Sequence, residues 1–162
     1  MTRRTHRAIG VSGLLAVVAA LAIGAGTVGA APAGQADSGT VYFAPTHTES
    51  SIGVYAGDST DKVMGPGAVV YRLRVLTTTK PGSFAIAIKK VTAFSATGSL
   101  SGTATGKLTI LDNKGNAKVT EGVLTLTHGS GAQAGHTLKA KFSGKGNLNT
   151  AQYKIIYAGI YR

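Results

Sequence analysis

From residue 39 onward no stretch of this chain keeps its apolar residues at helical spacing; they fall into short alternating runs broken by Gly, Asn, Asp and Pro. That texture admits strands and tight turns and little else. The clearest run is Val69-Val-Tyr-Arg-Leu-Arg-Val75, where Val69, Tyr71, Leu73 and Val75 share one side and Arg72 and Arg74 the other. Side chains alternate across a strand, so one face belongs to a core and the other to water. Phe84-Ala-Ile-Ala-Ile88 alternates large with small residues, and the phase slips at Lys89-Lys90 before Val91, which predicts a bulge. Asp112-Asn-Lys-Gly-Asn116 separates two apolar runs and carries the residues of a hairpin loop. Further on, Leu138, Ala140 and Phe142 alternate with Lys139 and Lys141, and Tyr153, Ile155, Tyr157 and Tyr161 line one side of a last strand.

This reading predicts eight strands, over 40–44, 51–56, 67–76, 84–94, 98–111, 117–127, 136–143 and 151–161. The fold class is all-β, an eight-stranded antiparallel barrel, with a β-sandwich as the alternative. Closure accounts for a chain that ends inside a strand, because first-to-last pairing leaves no edge. Glycines within strands, Gly102, Gly106, Gly122 and Gly159, suit the bulges and corners of a small barrel.

The N-terminus is of another kind. Arg3, Arg4 and Arg7 precede an uncharged run from Ala8 to Ile23, followed by Gly, Thr, Ala and Pro. This is the pattern of a secretory signal peptide over 1–30, and the run is shorter than the roughly 20 apolar residues of a membrane helix. Two cuts suit small peptidase pockets: after Ala30, using Val28 and Ala30, which is preferred, or after Ala33, using Ala31 and Ala33. Residues 31–38 then read as a flexible leader and 39–162 as the barrel domain. The arginine pair lacks the apolar residues expected after a twin-arginine signal, so the general secretory route is predicted, with release as a secreted, extracellular protein that meets a membrane only through its signal peptide before cleavage.

About 130 residues would remain, enough for one modest core. With no cysteine in the chain, packing and hydrogen bonds must hold it, and thiolate metal sites and cysteine chemistry are excluded. Loss of three arginines lowers the formal charge from +11 to +8. Such a basic surface attracts anionic wall polymers, acidic glycans or other extracellular macromolecules, or serves solubility alone. The basic residues are scattered singly along the chain, so no specific nucleic-acid site is predicted.

Glu121-Gly-Val-Leu-Thr-Leu-Thr-His-Gly-Ser-Gly-Ala-Gln-Ala-Gly-His136 and Leu-Lys-Ala-Lys-Phe142 after it resemble the strand, Gly-x-Gly turn and strand of allene oxide cyclase and dirigent-like β-barrels. With the Ala-rich leader and the closing Tyr-x-Gly-x-Tyr, the chain also resembles secreted proteins of high-GC Gram-positive bacteria that carry no assigned activity. The resemblance implies an eight-stranded antiparallel barrel. It implies no activity, because those families' catalytic acidic and arginine residues have no matching positions here.

Chemistry-bearing residues are few. Gly129-Ser-Gly-Ala-Gln-Ala-Gly135 imitates a nucleotide loop but lacks a helix to follow it, and reads as a hairpin turn. His128 and His136 bracket that turn, as a metal pair without a third ligand or as polar strand ends. The 112–116 loop echoes a calcium loop without its closing glutamate, and Asx-turn bonding explains it better. Glu121 falls at a phase slip beside Gly122, where an inward carboxylate would be desolvated and a solvated one would be ordinary. His47, Glu49 and Asp58 could meet at one barrel mouth. Glu121, His128 and His136 are therefore the candidates any catalysis would use, and neither metal nor cofactor is implied. Six tyrosines among ten aromatics suit either a core with hydroxyls at its ends or a ligand cavity. The expected function is non-enzymatic binding in the extracellular space or wall. The alternatives are a ligand carrier or cyclase- or isomerase-like enzyme using the barrel interior, and a structural surface or matrix component.

Overall fold

A computed structural model describes residues 33–49, 52–77 and 80–162. The predicted signal peptide and its cleavage residues, Val28, Ala30 and Ala31, lie outside the described residues. Eight strands follow in order: β1 (Gln35–Glu49), β2 (Ile52–Asp61), β3 (Gly67–Thr77), β4 (Ser83–Ser95), β5 (Gly98–Ile110), β6 (Asn116–Gly131), β7 (Leu138–Asn147) and β8 (Gln152–Tyr161). Each pairs antiparallel with the next, and β8 returns to β1 with Gln35 opposite Tyr161 and Phe43 opposite Tyr153. The sheet is a closed barrel, so no backbone edge is left for another chain to pair with.

Alternation puts one residue in two inside. Val41, Phe43, Val69, Tyr71, Ile86 and Leu108 are among the buried residues of a single core, and Leu100, Leu126 and Leu138 are at most 1% exposed. Full burial of such a side chain is worth about 2 kcal/mol. The alternation survives four irregularities, one of them in β1 between Pro45 and His47. Lys89 and Lys90 lie in a bulge between Ile88 and Val91 and are both exposed, which returns Val91 to the core. A further slip falls where Ser101 and Gly102 face His128 and Leu126. Another is at Thr120-Glu121, where Glu121 adopts φ +54° and Gly122 comes back inside. A Cβ on Gly122 would sit 2.4 Å from the Phe142 carbonyl oxygen, so the strand can close on β7 only without a side chain there.

Residues 35–38 do not belong to a leader. They open β1 and pair with Ala158–Tyr161, and Asp37 points inward at 3% exposure. Similarly, β2 continues to Asp61 through inward Gly57 and Ser59, small or polar positions that interrupt the apolar alternation.

Candidate functional site

The barrel axis holds a cavity of about 90 Å³. One water needs about 10–15 Å³, so the space is several waters wide. Its wall is aliphatic and aromatic: Ile86, Ile88, Val91 and Leu108 from β4 and β5, with Val119 and Leu126 from β6, meet side chains of the other strands. Alternating inward Leu, Ile and Val against Ala93 and Ala104 leaves the middle of the barrel unfilled.

Tyrosines give this wall its polar points. Tyr71 and Tyr153 line the cavity, and Tyr55 stacks on Tyr71 with ring centres 5.0 Å apart and approaches Tyr153 edge-on at 6.4 Å. Phe43 meets the Tyr71 ring at 4.5 Å, nearly perpendicular. Burial raises the Tyr71 hydroxyl well above its ordinary range, with Tyr55 and Tyr153 adding to it, and burial first and Tyr55 second push Tyr153 up to about 12. All three hydroxyls therefore remain protonated donors at neutral pH.

The end of the barrel where β1 begins and β8 finishes is closed by a polar cluster. Asp61 turns back on its own chain, its Oδ1 accepting the backbone N–H of Val63 at 2.8 Å and of Met64 at 2.6 Å. Lys62 donates its N–H to the Ser38 carbonyl at 3.0 Å, and Met64 lines the cavity. The other carboxylate oxygen of Asp61 accepts the Tyr157 hydroxyl. Tyr157 lies against the bare Cα of Gly39, where a Cβ would fall 2.4 Å from its oxygen. Beside it Tyr161 donates to Gln133 Oε1 at 2.5 Å. Asp37 sits next to Asp61 with both carboxylate oxygens buried, close to the Asp61 side chain and the Ser38 and Val63 backbone. Burial, then the Asp61 carboxylate, push Asp37 up to about 6.

Of the residues singled out in the sequence, His136 touches this cluster and the others lie elsewhere. Glu121 is on the outer face, its side chain 73% exposed and 3.7 Å from the Lys107 ammonium. The positive φ of the bulge turns it outward. His128 is exposed and hydrogen-bonded to Thr127 at 3.0 Å. His136 stacks on the Tyr161 ring, centres 4.9 Å apart, with Nδ1 3.1 Å from the Arg162 carbonyl. His47 pairs with Val54 and Asp58 with Tyr42, both exposed and four β2 positions apart in register, so they share no mouth; Glu49 closes the β1–β2 register opposite Ile52. Among the described residues no three His, Cys, Asp or Glu side chains gather to hold a metal. The 112–116 loop is an Asx turn, Asp112 Oδ1 accepting the N–H groups of Lys114 and Asn116 at 3.0 Å each. Gly131 to Gly135 form a hairpin turn with no helix.

Asp37, Asp61 and Gln133, which complete the closed end, are not among those candidates. Their one sequence signal is polarity at positions that barrel closure turns inward. No family model matches the chain, and neither a curated protein nor a solved structure matches it.

Proposed function

We propose that this chain is an exported, extracellular binding protein whose barrel interior holds a compact apolar molecule carrying a hydrogen-bond-accepting oxygen. The observation that carries this reading is the axial cavity, apolar over nearly all its wall and edged by the tyrosines 71, 153 and 157. Binding sites of small molecules combine such a wall with a few placed polar groups. Here the hydroxyls of Tyr71 and Tyr153 would donate to the ligand oxygen while its hydrocarbon body displaces empty space.

The interior favours binding over turnover, because among the described residues no carboxylate or imidazole borders the cavity; Asp37 and Asp61 lie behind Tyr157. The kinship to allene oxide cyclase and dirigent-like barrels belongs to the same proposal, as does export by the N-terminal signal. Calorimetric titration with a series from phenol to naphthol should give saturable heats, and Ala104→Phe, which fills the cavity, should abolish the response while the protein stays folded. An unchanged response in Ala104→Phe would refute the interior site.

A further inference from the structure

Five lysines that stand singly in the sequence converge on one side of the barrel. Lys118 of β6, Lys145 of β7 and Lys154 of β8 are consecutive register partners and form a row across three strands. Adjacent strands lie about 4.8 Å apart. Lys139 and Lys141 continue the outer face of β7, two residues apart and hence about 6.7 Å. All five are exposed, and among the described residues none is paired with an acid. Like charges set directly opposite one another destabilise a sheet, so the row costs stability unless an anion bridges it. Glu121, the acid on this side, is engaged by Lys107.

Beside Lys141 runs an open depression of about 570 Å³, with Glu121 at its edge and Val123, Ser143, Ile156 and Ala158 in its lining. Val123 is 49% and Ile156 51% exposed. The face thus alternates ammonium groups with aliphatic floor.

We infer that the outer face of β6, β7 and β8 docks a linear polyol phosphate polymer of the wall type, its phosphodiesters on the lysines and its carbon links on Val123, Ile156 and Ala158. The chemistry selects this occupant. No arginine occurs between residues 116 and 161, so the face offers point charges instead of the planar fork that grips carboxylate and phosphate alike, and point charges spaced by aliphatic floor fit phosphodiesters joined by short carbon links. Single-stranded nucleic acid would need aromatic platforms for its bases. The neighbouring exposed ring, Tyr42, is covered by Lys154, whose ammonium lies 5.3 Å from the ring centre.

The test is the salt dependence of binding of the purified protein to poly(glycerol phosphate). Five contacts predict a slope of about −3.5 in log affinity against log salt, at about 0.7 per neutralised phosphate of a single chain. Lys141→Gln with Lys145→Gln should lower the slope to about −2 and weaken binding at least tenfold at low salt. Lys89→Gln with Lys90→Gln removes the same charge from β4, and should change affinity less than twofold. Thermal midpoints of both variants, which alter exposed side chains alone, establish that they are folded. Equal losses in the two pairs would reduce the effect to net charge and overturn the site. So would absence of binding by the unaltered protein, or equal or tighter binding of single-stranded DNA with the same number of phosphates, of a carboxylated glycan, or of phosphatidylglycerol vesicles.

Discussion

Replacing Asp37 by Asn keeps the shape of a side chain that is 3% exposed and removes its titration. The folded protein holds the Asp37 proton up to about pH 6, while an unfolded chain releases it near the ordinary 3.8. Across that window the folded state binds more protons, so stability falls as pH rises through it; the full cost is present above pH 6 and none below about 3.8. A shift of this size, at about 1.4 kcal/mol per pH unit, corresponds to about 3 kcal/mol. The groups that face Asp37 are Asp61 from β2 and Tyr157 and Tyr161 from β8. An Asn amide can donate to the Asp61 carboxylate, which Asp37 in its charged form repels. Asp37→Asn should therefore stabilise the protein at pH 8 by about 2–3 kcal/mol and by almost nothing at pH 4. Urea unfolding at pH 4, 6 and 8 reads this as a midpoint rise of about 1–2 M at pH 8 with an unchanged slope. A variant no more stable than its parent at pH 8, or one that keeps the parent's loss of stability between pH 4 and 7, would refute the assignment of the buried proton to Asp37.

Tyr157→Phe removes the hydroxyl that Asp61 accepts and should cost about 1–3 kcal/mol in the same urea assay. Glu121→Gly relieves a non-glycine residue at φ +54° and gives up an exposed ion pair worth little. Equilibrium unfolding should find it about 0.5–1 kcal/mol more stable. Leu100→Ala, at a position with no exposure, should lose about 3 kcal/mol by calorimetry or urea, since the barrel closes on that side chain from every direction.

The strands were legible wherever large apolar residues alternate. Val69 to Val75 and Phe84 to Ile88 are the examples, and even the slips at Lys89-Lys90 and Glu121 show as breaks of phase. The start of β1 and the end of β2 were not, because their inward positions are Asp37, Gly39, Gly57, Ser59 and Asp61, which carry no apolar signal. Asp37, Gly39 and Asp61 among them build the closed end. Asp61 and Tyr157 are 96 residues apart and meet only once β8 has paired with β1. Long-range register also hid the lysine face: Lys139 and Lys141 show as an alternating pair, whereas Lys118, Lys145 and Lys154 become neighbours through two successive strand pairings. The tyrosines were visible as a surplus of aromatics. Which of them border a cavity depends on the mismatch between the inward side chains and the barrel's diameter, a quantity no local pattern encodes.

Methyl-resolved NMR during addition of naphthol tests the interior site most directly. Resonances of Ile86, Ile88, Val91, Leu108, Val119 and Leu126, which border the cavity, should shift together and saturate, while Val123, Ile156 and Ile160 on the outer surface stay in place. Shifts confined to Val123 and Ile156, or no shift in any of these methyl groups, would contradict it.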